Sequence, residues 1–227
     1  MMLMLGAKRS HAPSCSALLI LNAEDTVGLF RNRRMKKKLI ARLMQERVDG
    51  IKSHEGYFFR TDFDHVLQGV LLEYVPRGVY VMNFRFPLFD PAGPNLMYSN
   101  RTPGSGFIGK DELSEDELVE YILSVPELHR SLLTDPPISL DEFIHYLSSL
   151  QNEHARFVHA AALVLLREDG EALRVMEAID PRKIHASRKD SYELLLTSLR
   201  QGSSDALVFL ERVRDHNLST FGLVGHR

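Results

Sequence analysis

Hydrophobic and polar residues alternate with the period of a β-strand along residues 56–90. A first run starts at Tyr57, and two more runs follow at His65–Val75 and Gly78–Phe86. Pro76-Arg77-Gly78 joins the last two, with a proline of fixed φ and a glycine free to take positive φ. The pattern predicts an antiparallel sheet of three or four strands.

The rest of the chain has helical spacing. One apolar stripe begins after Met35 and consists of Leu39, Ile40, Leu43, Met44, Val48 and Ile51. From Ser114 onward we predict six helices, near 115–124, 127–133, 139–150, 152–168, 170–179 and 188–215, the last broken at Gly202-Ser203. Three pairs have the spacing of a capping serine: Ser114…Glu117, Ser139…Glu142 and Ser187…Asp190.

Together these elements predict an α+β fold. An N-terminal helix packs on an antiparallel meander, and a mostly helical C-terminal half of helical hairpins follows. The stretch 90–113 is rich in Pro, Gly, Asn and Ser and is interpreted as a long loop. The predicted organisation is a disordered leader or upstream extension at 1–34, a helix-plus-meander domain at 35–110 and a helical domain at 111–227.

A 34-residue offset relates two parts of the helical half. Leu165, Ala172, Leu173 and Glu177 recur as Leu199, Ala206, Leu207 and Glu211. Helical repeats of this length and an ordinary bundle with similar hairpins both account for the offset. In either case stacked hairpins build a surface of the kind that binds proteins.

Charge is unevenly distributed. Residues 1–50 hold ten Lys/Arg and four Asp/Glu, a net +6, whereas the remainder holds 18 and 26, a net −8. An acidic main body disfavours sequence-independent binding of nucleic acid. The only cysteine, Cys15, excludes an internal disulfide, and no apolar run approaches the roughly 20 residues of a membrane span. We therefore expect a cytoplasmic protein without membrane attachment.

One segment supports a nucleic-acid alternative. It contains six basic residues: Arg31, Arg33, Arg34, Lys36, Lys37 and Lys38. No aromatic residues lie between them to stack on bases. A solvated tail leading into a first helical turn is the favoured interpretation.

The candidate chemistry is in the predicted sheet. On an extended strand Asp62 and Asp64 share a face about 7 Å apart, a spacing at which two carboxylates hold a divalent cation. His65 points the other way unless a turn intervenes, and Arg85, beside Asn83, is placed to clamp a phosphate or carboxylate. A metal-dependent hydrolase or nuclease centred on these residues is one interpretation. The other is a solvated sheet face whose arginines neutralise the aspartates.

A helix that starts with basic residues is followed by GYFFR and then by a hairpin that ends in VMNFRFPLF. This arrangement resembles a group of small bacterial helix-plus-meander domains of unknown function. These occur among immunity-type proteins of toxin systems, and the resemblance covers about residues 35–100. It implies a cytoplasmic protein that binds another protein and performs no chemistry. Because the residues contain no convincing catalytic set, we predict a non-enzymatic interaction module with no cofactor, whose partner and oligomeric state the sequence does not name. A metal-dependent hydrolase or nuclease and a nucleic-acid-binding protein are kept as the alternatives.

Overall fold

A computed structural model describes residues 35–102, 104, 106–133, 137–150 and 152–223. These described residues belong to one compact unit. The predicted leader, 1–34, lies outside the described residues. The division into domains at 35–110 and 111–227 stays a prediction.

The centre of the fold is an antiparallel sheet of six strands. They are β1 (Ile51–His54), β2 (Tyr57–Arg60), β3 (Val66–Val75), β4 (Gly78–Pro87), β5 (Ser99–Arg101) and β6 (Phe107–Gly109). The order is β1-β2-β3-β4-β5, and β6 also pairs with β4. The antiparallel sheet is confirmed and is larger than the three or four strands predicted.

Tight turns set the register of the first four strands. Glu55 and Gly56, with φ of 47° and 93°, make the two-residue connection between β1 and β2 that requires positive φ at both positions. Pro76 and Arg77 connect β3 to β4 as predicted, but Gly78 does not have positive φ. A Cβ at Gly78 would lie 2.1 Å from the carbonyl oxygen of Ile108, so this glycine is required by the close approach of β6.

Interpreting 90–113 as a loop was wrong for two short segments. β5 pairs with Met82–Phe84 and β6 with Gly78–Tyr80, along the same outer edge of β4. Between them the N–H of Val81 donates to the carbonyl of Gly106 at 2.7 Å. The two segments form strands because they pair the backbone groups of a β4 edge that would otherwise be open.

The predicted helices are confirmed, except that the first ends at Arg47, so that Ile51 of its predicted stripe belongs to β1. They are α1 (Lys37–Arg47), α2 (Glu115–Ser124), α3 (Pro126–Leu133), α4 (Leu140–Ser148), α5 (Glu153–Leu165), α6 (Asp169–Glu177), α7 (Lys189–Gln201) and α8 (Ser203–Thr220). Ser114 and Ser139 each form a capping box, as predicted. The prediction for Ser187 was wrong, because Ser187 lies in a 3-10 turn before α7 and its hydroxyl is 2.8 Å from His185 Nδ1.

The sheet is buried on both faces. Side chains of α1, α2 and α3 pack on one face, against Phe58, Val70, Leu72, Val79 and Val81. Side chains of α4 to α8 pack on the other, against Phe59, Leu67, Leu71, Met82, Phe84 and Phe86. Strand alternation thus produces two cores from one sheet.

The starts of α6 and α8 match the 34-residue offset, whereas α5 and α7 start 36 residues apart. α6 begins at Asp169 and α8 at Ser203, and the matching residues Ala172 and Ala206 are both completely buried.

In the described ranges no helix is both long and apolar enough to cross a membrane.

Candidate functional site

The predicted acidic pair lies in a connection and not on a strand. β2 ends at Arg60, and residues 61–65 form the link to β3 that contains Asp62, Asp64 and His65. Strand alternation therefore does not set the directions of these three side chains. The turn that the sequence analysis allowed for is present.

Asp62 is engaged by a neighbouring cation. Arg60 Nε donates to Asp62 Oδ1 at 2.6 Å, and Arg60 Nη2 pairs with Oδ2. Both carboxylate oxygens are thus in a two-pronged ion pair, which is the geometry that guanidinium groups favour. Arg60 is one of the two arginines expected to neutralise the aspartates, but it does so from two positions back along the chain and not across strands.

Asp64 and His65 contact each other and α8. His65 Nε2 is 3.4 Å from Asp64 Oδ1, and Arg214 Nη2 donates to the carbonyl oxygen of Asp64 at 3.3 Å. Burial lowers the pKa of His65 below its ordinary value, and the charge of Arg214 lowers it further while Asp64 opposes them. The connection between β2 and β3 is therefore held against α8 by a hydrogen bond.

Arg85 lies in a different place. It is exposed on β4 and lines a cleft of about 370 Å³ that none of Asp62, Asp64 and His65 lines. The cleft lies between the sheet, α3 and the start of α4. Its lining residues are Gln68, Asn83, Arg85, Glu127, Arg130, Ser131, Ile138 and Glu142.

The guanidinium of Arg85 is supported on one face by an aromatic ring. Its central carbon is 5.3 Å from the ring centroid of Tyr146 on α4. Glu142 is held by its own capping box: hydrogen bonds from Ser139 lower its pKa, with a smaller contribution from the charge of Arg85. Within the described residues Arg85 makes no ion pair.

The described residues provide no set of ligands for a metal centre. Across the described ranges, no group of three or more His, Cys, Asp or Glu side chains is arranged to hold a metal ion. Asp62 and Asp64, the candidate ligands, are in contact with Arg60 and His65 respectively.

The basic segment is described only in part. Lys36, Lys37 and Lys38 are exposed at the start of α1, whereas Arg31, Arg33 and Arg34 lie outside the described residues. The backbone N–H of Lys36 donates to Glu115 Oε1 at 3.2 Å, and Lys37 Nζ is 4.5 Å from the ring centroid of Tyr74. The ammonium group of Lys37 is thus in contact with the protein's own sheet, whereas Lys36 makes its contact through the backbone.

A buried polar cluster was missed by the sequence analysis. Asp90 is completely buried, and its Oδ2 lies 2.8 Å from both the Tyr98 hydroxyl and His154 Nε2. Ala92 N–H donates to Asp90 Oδ1 at 2.8 Å, and Asn217 donates to the Asp90 carbonyl at 2.9 Å. No local spacing indicates this cluster, because its members come from the 88–98 segment, α5 and α8.

Burial and this carboxylate act in the same direction on Tyr98. Burial raises the pKa of Tyr98 well above its ordinary value, and the charge of Asp90 and its hydrogen bond raise it further. The positive charge of Arg188 acts in the opposite direction. Arg188 is thus electrostatically coupled to the cluster.

His154 also lines a small pocket of about 160 Å³. The walls come from the first turn of α5, the segment before α7 and α7 itself. The lining residues are Asn152, Glu153, His154, Phe157, Lys183, Ile184, His185, Arg188 and Tyr192.

Comparisons of the chain with protein-family models, with curated proteins and with solved structures found no match.

Proposed function

We propose that this protein is a non-enzymatic, cytoplasmic protein-interaction module, of the immunity type that residues 35–100 resemble. Its partner presents an acidic side chain to the cleft at Arg85. The observation that carries the proposal is the state of Arg85, which is exposed, lies over Tyr146 and has no ion pair within the described residues.

The geometry of Arg85 suits recognition of a carboxylate. One face of the guanidinium lies over Tyr146, so its orientation is restricted while its N–H groups stay available. Less conformational freedom is then lost when a carboxylate binds in the two-pronged geometry. Arg and Tyr are also the residue types that contribute most to binding energy at protein interfaces.

The chemistry of the cleft favours a protein over a small molecule. Seven of its eight lining residues are polar or charged, and Ile138 is the apolar one. Pockets for small molecules are lined predominantly by hydrophobic and aromatic side chains. A polar cleft with amides from Gln68 and Asn83 at its sheet side supplies hydrogen bonds to a partner's backbone and side chains instead.

The hydrolase alternative has less support. The carboxylate of Asp62 is paired with Arg60, and Arg85 lines a cleft apart from Asp62, Asp64 and His65. Catalysis with a divalent cation requires ligands that are available to it.

The proposal is tested by affinity capture from the native host with the tagged chain and with the variant Arg85→Glu. The matched control is Arg212→Glu, which makes the same charge change at an exposed position on α8. A partner captured by the original chain and the control, but lost with Arg85→Glu, is then purified and its affinity measured. The expected loss is at least about tenfold, because a favourable charge pair becomes a repulsive one.

Equal capture by both variants would contradict the proposal. Circular dichroism and thermal unfolding of the purified variants show whether each is folded. An exposed substitution on β4 that leaves Tm unchanged attributes any lost capture to the cleft.

A further inference from the structure

We infer that the pocket beside His154 binds a small organic anion through a carboxylate or phosphate group. The site is separate from the Arg85 cleft and does not depend on the proposed function. Three observations support it: the balance of charge around the pocket, the state of Arg188 and the second ring nitrogen of His154.

The pocket is lined mainly by nitrogen-bearing side chains. The lining contains one carboxylate, that of Glu153, and four side chains with basic nitrogens, those of Lys183, Arg188, His154 and His185. Glu153 is already engaged, with Arg156 at 3.4 Å and Lys183 at 3.9 Å. Of the two lining cations, Lys183 is paired with Glu153, and Arg188 has no ion pair within the described residues.

Arg188 is half-buried and has neither an ion pair nor a hydrogen bond from its side chain within the described residues. Partial burial of a guanidinium removes hydrating water, at a cost in free energy that an anionic partner offsets. The charge of Arg188 acts on Tyr98, but the carboxylate beside Tyr98, that of Asp90, is already hydrogen-bonded to Tyr98 and His154. An anion in the pocket supplies the missing partner.

His154 offers a second ring nitrogen. Its side chain is only 9% exposed, and Nε2 is bonded to Asp90 at 2.8 Å. Nδ1 makes no hydrogen bond in the described part of the chain and is not among its fully buried unpaired atoms. Phe157 stacks on the imidazole at 6.1 Å and fixes the ring plane. Nδ1 is thus placed to share a hydrogen bond with a bound ligand while Nε2 keeps its contact with Asp90.

Size and apolar contacts define the ligand further. The volume of about 160 Å³ is well below the roughly 300–1,000 Å³ of pockets for drug-sized molecules. Phe157, Ile184 and Tyr192 form the apolar part of the wall. The site therefore fits a small acid with a short carbon body, in which either a carboxylate or a phosphate supplies the charge.

The test is an NMR titration of the full chain with two probes, inorganic phosphate and acetate, at constant ionic strength. The amide signals of residues 152–157 and 183–188 are followed. We expect saturable shifts with at least one probe. The tighter probe identifies the charged group of the ligand.

Arg188→Gln is the test variant and Arg182→Gln the matched control. Arg182 is in the same segment, but its side chain is 90% exposed, paired with Asp180 and not part of the lining. Removal of Arg188 is expected to weaken binding at least about tenfold, the value of one charge-assisted hydrogen bond. The control is expected to bind within about twofold of the original chain.

Shifts that stay linear with both probes overturn the inference, and so does equal weakening by the two variants. If Arg188→Gln does not fold, Lys183→Gln replaces it, because that side chain is 67% exposed. The same comparison with Arg182→Gln then decides the outcome.

Discussion

The carboxylate of Asp90 lies 2.8 Å from the imidazole of His154, although 64 positions separate the two residues. The contact connects the segment after β4 to the first turn of α5. A completely buried carboxylate is stable only with hydrogen-bond donors around it, and Tyr98, Ala92 and His154 supply them. The link between sheet and helices is therefore partly polar.

We predict that Asp90→Ala strongly destabilises the protein. The substitution leaves the Tyr98 hydroxyl and His154 without their buried acceptor, which costs about 3–5 kcal/mol of the free energy of unfolding. Urea unfolding followed by circular dichroism measures the loss. Asp64→Ala is the control: the Asp64 side chain is 73% exposed, and its removal changes stability by about 0.5 kcal/mol or less. A similar effect of both substitutions would contradict the role assigned to Asp90.

Stability is predicted to fall as the solution is acidified below about pH 6.5. Burial lowers the pKa of both His65 and His159 below the ordinary value of 6.5. The unfolded chain then binds more protons than the folded one, so acid favours unfolding, and the stabilising contribution is fully present only above that value.

The variant His159→Gln isolates one contribution to this slope. We expect the free energy of unfolding to change less between about pH 7.5 and 5.5 in the variant than in the original chain, because one of the two histidines is removed. Urea unfolding at the two pH values provides the comparison. An unchanged slope would show that His159 is not protonated more readily on unfolding.

Two glycines are predicted to respond oppositely to alanine. A Cβ at Gly69 would lie 1.9 Å from the carbonyl oxygen of Phe58 on β2, so Gly69→Ala separates β2 from β3 and costs more than about 2 kcal/mol. Gly170, in the first turn of α6, has no atom within 4 Å of the added Cβ. Gly170→Ala is expected to stabilise the helix by about 0.5–1 kcal/mol. Thermal unfolding of the two variants tests both signs.

Mg²⁺, Mn²⁺ and Zn²⁺ are predicted to leave Tm unchanged. A ligand that binds only the folded protein raises its stability, but Asp62 is already paired with Arg60. Thermal unfolding with and without each ion is the measurement. A large rise in Tm that Asp62→Ala or Asp64→Ala abolishes would restore the hydrolase interpretation.

Local signals explain why the helices were predictable. At Ser114 and Ser139 a serine and a glutamate three residues later satisfy the backbone at the helix start, which is a property of four consecutive residues. The break at Gly202 is equally local, because its φ of 133° does not continue a helix. The turn at Pro76 and Arg77 belongs to the same class.

The candidate sites depend on contacts that no local pattern contains. Arg214 reaches the carbonyl of Asp64 from 150 positions away, and Asn217 on α8 binds the carbonyl of Asp90. The alternating pattern predicted that the first strand continues to Asp64. It contains no information about hydrogen bonds donated by residues so far along the chain. β5 was missed for a related reason, since its partner is the edge of β4 and its own residues, Ser99–Arg101, are polar.

The hairpin of β3 and β4 has a core on each face, so more than half of its side chains are buried against neighbours that they must fit. Most of the helices, by contrast, expose one face to water. The sequence of residues 66–87 should therefore change most slowly during evolution, and the sequences of the helices should change faster. A search for distant relatives gains most by weighting that hairpin, and a saturation mutagenesis library should show its lowest tolerance there.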